Sequence, residues 1–150
     1  MPGSLAIFTS IELLIVTWFD FKTNKIKNFW AIINLGFFFI FLFIFPQYFK
    51  FSLLHFLWPS LMLLTGFVLY ILKIMGAGDS KFIFSLMLII PTEEHTEYLL
   101  YLLCSTIVIA PIYLLHRKFQ IGRWSGGKNI FAPVILLAWV GLIWMHFLKN

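Results

Sequence analysis

Long uncharged apolar stretches alternate with short polar segments along this chain of 150 residues. A helix needs about 20 apolar residues to cross the hydrocarbon core of a bilayer. The stretches are continuous, which favours helices over a barrel whose strands would alternate apolar and polar positions. The pattern therefore predicts an all-α polytopic membrane protein, a bundle of about six transmembrane helices. The predicted helices cover 4–19, 29–45, 51–72, 82–91, 98–115 and 129–148.

The fourth stretch, 82–91, is too short to span a bilayer alone, and it follows the tetrapeptide Gly76-Ala77-Gly78-Asp79. Glycines on both sides of Ala77 would let the backbone leave helical geometry and approach another segment closely. If this turn lies below the membrane surface, the helix after it need not cross the full thickness. Asp79 would then lie near a helix N-terminus, where the helix dipole favours a carboxylate.

The amino-acid composition is typical of a membrane protein, and the sequence predicts a single domain. Hydrophobic residues make up 61% of the chain and charged residues 11%, outside the usual range of soluble domains. No linker or repeat divides the sequence, so residues 1–150 are predicted to form one transmembrane domain. The first apolar stretch follows no basic residue and precedes no small-x-small cleavage site, which predicts a retained helix. The single cysteine, Cys104, excludes an internal disulfide and is expected to be buried as a small hydrophobe.

The formal net charge of +5 is spread unevenly along the chain, and the positions of the basic residues indicate a membrane topology. Basic residues gather in alternate loops, which is the positive-inside pattern of membrane proteins. This distribution predicts both termini on the outer face and Asp20 and Asp79 at cytoplasmic helix ends. It also favours the lipid bilayer over nucleic acid as the partner of the positive charge. The residues predicted on the cytoplasmic side are Lys22, Lys25, Lys27, Lys73, Lys81, Arg117, Lys118, Arg123 and Lys128.

Asp20 and Asp79 are the only two aspartates of the chain. An ionisable side chain at a membrane segment is costly and usually functional. Two carboxyl groups within hydrogen-bonding distance share a proton, so the pair offers an acid and a base at neutral pH. Such a pair can activate water for peptide hydrolysis without a cofactor, and it titrates as a unit. The four histidines show no helical ligand spacing, so no metal site is predicted.

Three segments carry a resemblance to the type IV prepilin peptidase family of GxGD aspartyl proteases. Gly76-Ala77-Gly78-Asp79-Ser80-Lys81-Phe82 resembles the family motif GxGD-x-K-hydrophobic. The segment from Asp20 to Asn28 is similar to the pattern D-x5-(I/L)-P-(N/D), with Lys27 where the family usually has proline. Ile130-Phe131-Ala132-Pro133-Val134 is similar to the I-P-F-(A/G)-P-(F/V) start of the family's last helix, short of one proline.

The resemblance implies an aspartic endopeptidase of the cytoplasmic membrane with its active site facing the cytoplasm. Its protein substrate would be the precursor of a type IV pilin, pseudopilin or archaellin, which has a short basic leader and a hydrophobic N-terminal helix. The chain is similar to the minimal peptidase-only members, because it lacks the length and paired cysteines that accompany N-methyltransferase activity. The implied catalytic residues are Asp20 and Asp79, the active-site turn is Gly76, Ala77 and Gly78, and the candidate supports of substrate or site are Asn28, Lys81 and Pro133.

Two other functions are compatible with the same residues. A small proton- or ion-coupled carrier could use Asp20, Asp79 and Glu12 as intramembrane carboxyl groups. A signal-peptide or presenilin-like GxGD protease is the second alternative, although that group normally has more helices. Glu12 itself is expected to be a protonated glutamate that hydrogen-bonds a neighbouring helix. The structural alternatives are a helix cap for Asp79 and an interfacial anchor for Lys81.

Overall fold

The computed structural model describes residues 3–23, 26–48, 53–72, 75–119 and 132–149. Within these ranges the chain is helical and has no strand, which confirms the prediction of an all-α protein with six helices. A short 3-10 helix, Thr92–Glu94, connects the fourth helix to the fifth. The six helices are α1 (Gly3–Thr23), α2 (Asn28–Ile44), α3 (Leu53–Ile71), α4 (Ala77–Ile89), α5 (His95–Phe119) and α6 (Ala132–Lys149).

The short helix α4 lies in the interior of the bundle. It packs against α2 and α3, while α6 packs against α1 and α5. Every residue of α4 from Phe82 onward is buried except the half-buried Phe84. Gly66 of α3 marks a close approach, because a Cβ atom there would lie 2.6 Å from the Cβ atom of Ser80. The prediction that the fourth helix is short agrees with this enclosed position.

The bundle places polar side chains inside and large apolar side chains outside. Glu12, Asp20, Asn34, Asp79 and Ser85 are all buried, and exposed large apolar side chains occur on every helix except the interior α4. A soluble protein rarely exposes apolar surface on this scale, whereas a lipid-facing surface requires it. By length and composition, one described helix (α1) could cross a membrane, and the apolar helices Asn28–Ile44, His55–Ile71 and Ala132–His146 are shorter.

Cys104 is exposed on α5, so the prediction of a buried cysteine is wrong. It lies beside Leu103 and within one turn of Leu100 and Ile107, which are also exposed apolar residues. This face of α5 is apolar and points away from the bundle. Hydrophobicity alone therefore misplaces the residue, because in a membrane protein an apolar side chain is as suitable for the outer surface as for the core.

The start of α4 also differs from the prediction. Only Gly76 has extended backbone geometry, with φ −79° and ψ 147°, and the helix begins at Ala77. Ala77 and Gly78 are helical rather than irregular. The cause is the Asp79 carboxylate, which accepts a hydrogen bond from the Gly76 backbone N–H and so stabilises the first turn.

Two buried histidines stabilise the opposite end of α4. The helix ends at Ile89, two residues before Pro91, and its last carbonyl groups lack partners within the helix. His95 Nε2 lies 2.9 Å from the carbonyl oxygens of both Met87 and Ile90. His55 Nε2 lies 3.0 Å from the Leu88 carbonyl oxygen. Because a carbonyl only accepts, both histidines carry a proton on Nε2 and donate it to the end of α4.

Replacing His95 by leucine is expected to destabilise the fold. The substitution leaves two buried carbonyl groups without their donor, which costs about 2–4 kcal/mol. A lower melting temperature in detergent or lipid nanodiscs would report the loss. The matched control is Thr96→Ala, since Thr96 is the exposed neighbour of His95. This variant should have the melting temperature of the wild type. Equal melting temperatures for His95→Leu and wild type would contradict this role.

Candidate active site

Asp20 lies at the C-terminal end of α1 and contacts the first residue of α6. Its Oδ2 atom accepts a hydrogen bond of 3.1 Å from the Ala132 backbone N–H. The carboxyl is buried, with 2% of Asp20 exposed. The N-terminus of a helix carries a partial positive charge, so α6 compensates part of the cost of burying a carboxylate at this position.

Asp79 lies at the N-terminus of its own helix. It occupies the third helical position of α4, and its Oδ2 atom accepts the Gly76 N–H at 3.0 Å. The residue is 6% exposed. Asp79 is thus part of a helix start, as the capping alternative predicted, and the same contact orients its carboxyl group. Both aspartates of the chain therefore accept a backbone N–H at the beginning of a helix.

The two carboxyl groups lie close enough to influence one another. Asp79 belongs to the first turn of α4, ahead of the apolar stretch 82–91. Burial raises the pKa of the Asp79 carboxyl to about 6, the Gly76 N–H opposes this increase, and the negative charge of Asp20 adds to it. The tertiary structure thus brings together two side chains from α1 and α4 that are far apart in the sequence.

Gly78 is a point of close contact between α4 and the segment that follows α1. A Cβ atom at Gly78 would collide with the backbone carbonyl oxygen of Ile26. Ile26 itself is buried against the core of the bundle. The glycine therefore serves close approach and not a turn, since its backbone is helical. Its contact ties the segment between α1 and α2 to the helix that carries Asp79.

The other residues singled out from the sequence occupy the rim of this region. Asn28 is exposed at the first position of α2, and Lys81 is exposed in α4. Pro133 is half-buried at the second position of α6, directly after the Ala132 N–H that binds Asp20. Ala77 is exposed in the first turn of α4. Residues 24, 25, 130 and 131 of the quoted motifs lie outside the described residues.

Comparison of the sequence with models of known protein families identifies the family of this chain. The sequence model of the type IV leader peptidase family matches residues 7–115. The chain belongs to the type IV leader peptidase family. The resemblance drawn from the three motifs is thereby confirmed, and the protein is a peptidase of a membrane family. The matched range includes both aspartates and ends before α6. No curated protein and no solved structure matches the chain.

The structure adds three contacts whose partners the sequence did not identify, although a hydrogen bond from Glu12 to a neighbouring helix was expected. The Ala132 N–H binds Asp20, the Ile26 carbonyl packs on Gly78, and the Asn34 amide faces Glu12. The first two involve the backbone, so no residue type could indicate them. Asn34 was detectable in principle, because it is the only amide side chain within the apolar stretch 29–45. In the described part of the chain, no cluster of three or more His, Cys, Asp or Glu side chains suits a metal ion.

The mutual influence of the carboxyl groups predicts a shift in titration. In Asp20→Asn the pKa of Asp79 is expected to fall below about 6, because a neutral amide replaces the repelling charge. It should stay above 3.8, because burial persists. The carbonyl stretching band of the protonated acid, followed by infrared spectroscopy against pH, measures this value. The double variant Asp20→Asn with Asp79→Asn identifies the band, and an unchanged midpoint in Asp20→Asn would show that the carboxyl groups do not interact.

Proposed function

We propose that this peptidase is an aspartic endopeptidase that uses Asp20 and Asp79 to remove the short basic leader of prepilin-like precursors. The observation that carries the proposal is the pair of buried carboxyl groups at one end of the bundle, each bonded to a backbone N–H at a helix start. Membership of the family supports the peptidase activity. The chemistry of two neighbouring carboxyl groups supports the aspartic mechanism.

The proposed reaction requires one shared proton and one water. The ionised carboxylate accepts a proton from water, whose oxygen attacks the scissile carbonyl carbon, while the protonated carboxyl donates its proton to the carbonyl oxygen. The resulting tetrahedral intermediate collapses with cleavage of the C–N bond. The amine leaves with a proton returned from the pair. We assign these roles to the pair as a unit, because coupled carboxyl groups titrate together.

The burial of the pair suits this chemistry. Only 2% of Asp20 and 6% of Asp79 are exposed, so bulk water is largely excluded from both carboxyl groups. Electrostatic interactions are stronger in such a setting, and a proton shared by the pair is not easily exchanged for one from solvent. The Gly76 and Ala132 N–H groups orient the two carboxyl groups before substrate arrives.

We further propose that the site faces the cytoplasm of a multi-pass protein in the cytoplasmic membrane. The positive-inside distribution of basic residues supports this orientation. The substrate would present a basic leader at the cytoplasmic face and place its hydrophobic helix beside the apolar outer surface of the bundle. Exposed Lys81 and Asn28 stand near the site as candidate contacts for the peptide backbone.

Reconstituted protein and a prepilin-like precursor test the proposal. Wild type is expected to release the leader as an intact peptide, identified by mass spectrometry, at a single bond before the hydrophobic helix. EDTA should leave the rate unchanged, since the proposed reaction needs no metal. Cleavage that stops with EDTA would contradict the aspartic mechanism. Proton or ion flux in proteoliposomes without any cleavage would instead support the carrier, which family membership disfavours.

A further inference from the structure

A second group of buried polar side chains crosses the interior of the bundle, separate from the two aspartates. Glu12 of α1 is 3% exposed, and Asn34 of α2 and Ser85 of α4 are fully buried. With the Asn34 amide oriented to satisfy its neighbours, Nδ2 lies 2.8 and 3.1 Å from the two carboxyl oxygens of Glu12. The amide oxygen then lies 3.4 Å from the Ser85 hydroxyl oxygen, and this hydroxyl also lies 2.9 Å from the Phe82 carbonyl oxygen of its own helix. We call these three residues the polar bridge.

The polar bridge connects the helix of Asp20 to the helix of Asp79. Glu12 lies about 12 Å along α1 from Asp20, and Ser85 lies about 9 Å along α4 from Asp79, at 1.5 Å per residue. The bridge therefore joins the two helices at a similar distance from the carboxyl pair. One side chain of α2 contacts both.

Helix packing alone does not join α1, which carries Asp20, tightly to α4, which carries Asp79. The extensive helix contacts divide the bundle into α4 with α2 and α3, and α6 with α1 and α5. Asp20 and Asp79 thus belong to different packed groups. Apolar contacts between α1 and α2 lie on both sides of Glu12 along α1: the ring centroids of Phe8 and Phe37 are 3.9 Å apart, and those of Phe19 and Trp30 are 6.3 Å apart. Apolar contacts are non-directional, whereas hydrogen bonds in an apolar interior have a defined geometry and are costly to break.

We propose that the polar bridge sets the separation of the two catalytic carboxyl groups. Glu12 and Asn34 are positioning residues: they touch no reacting atom, and they hold α1 in register with α2 and α4. This inference rests on the proposed function, because it assigns a purpose to the distance between Asp20 and Asp79. Glu12 then does more than hydrogen-bond a neighbouring helix, because its contact with Asn34 sets the position of Asp20.

The informative variant replaces both partners by apolar residues. Glu12→Leu with Asn34→Leu leaves neither Glu12 nor Asn34 as an unsatisfied polar group, so the double variant is expected to fold and melt at least as well as wild type. Its kcat is expected to fall about tenfold with KM within twofold of wild type, because only the geometry needed in the transition state is lost. Glu12→Gln retains a hydrogen-bonding group of the same shape and should keep kcat within about twofold.

A distance measurement separates positioning from a merely structural role. Spin labels at Leu14→Cys in α1 and Ile32→Cys in α2, in a Cys104→Ser background, report the register of the two helices; all three positions are exposed. The double leucine variant is expected to broaden the distance distribution, and Glu12→Gln to leave it unchanged. Unchanged distances, or an unchanged kcat in a folded double variant, would overturn the inference. If wild type cleaves no precursor, the proposed function fails instead, and the distances still report whether the bridge holds the helices.

Discussion

Asp79→Asn is expected to lower the rate of leader cleavage by about 10³-fold or more. The amide has the shape of the carboxyl group and can still accept the Gly76 N–H, so the start of α4 should persist. It cannot accept or return a proton, and positioned acid–base groups contribute about 10²–10⁴-fold to catalysis. Asp20→Asn should have an effect of the same size, since the pair acts as a unit and its losses are not additive. Cleavage of a labelled precursor by the reconstituted variants measures both effects.

A third carboxyl group provides the matched control. Glu93 is exposed in the 3-10 helix Thr92–Glu94, at the opposite end of α4 from Asp79. Glu93→Gln removes the same charge from the same molecule and should cleave at the wild-type rate. Membrane insertion and melting temperature should be similar in all three variants. If Asp20→Asn or Asp79→Asn cleaved the precursor at a rate within tenfold of the wild-type rate, the proposal of an aspartyl pair would be wrong.

Gly78→Ala is expected to produce the second largest loss, through the backbone. The added methyl group collides with the Ile26 carbonyl oxygen, and neither backbone can rotate away as a side chain could. The first turn of α4 must therefore separate from the segment after α1, which displaces Asp79 relative to Asp20. A displacement of about 1 Å can cost about 100-fold in rate, and overpacking costs about 1–3 kcal/mol of stability. Cleavage rate and melting temperature should both decrease.

Gly36→Ala makes the same chemical change where space is available. Gly36 is also a helical glycine, in α2, and a Cβ atom there would meet nothing within 4 Å. Alanine is the better helix former, so this variant should be as stable as wild type and fully active. A Gly78→Ala variant that behaves like Gly36→Ala would show that the contact with Ile26 has no part in arranging the site.

Much of the architecture was predictable from the pattern of apolar and polar residues. The apolar stretches indicated six helices, and the short stretch 82–91 together with Gly76–Asp79 indicated an unusual start of α4. The motifs around Asp20 and Asp79 indicated the family. These features can be predicted from the sequence because they depend on local composition and on the spacing of residues. The burial of Cys104 was predicted wrongly, because composition does not distinguish a lipid-facing from a core-facing apolar position.

The conformation of the glycine tetrapeptide was the other prediction that failed. The sequence favoured an irregular turn through Gly78, whereas the structure has a helix from Ala77 onward. Glycine permits either outcome, and the Asp79 carboxylate stabilises the helical one by accepting the Gly76 N–H, while the contact of Gly78 with Ile26 leaves no room for a larger residue. A glycine required for close approach and one required for a turn look identical in a single sequence.

The sequence by itself determined which helices form, which family the chain belongs to and which two carboxyl groups are candidates for chemistry. Only the tertiary structure decided that Asp20 accepts the N–H of Ala132, that its charge acts on Asp79 and that Asn34 stands between Glu12 and Ser85. The physical reason is that helix formation depends on neighbours within a few residues. The relative placement of helices depends on contacts between residues distant in the chain, and several of these use backbone atoms that every residue has.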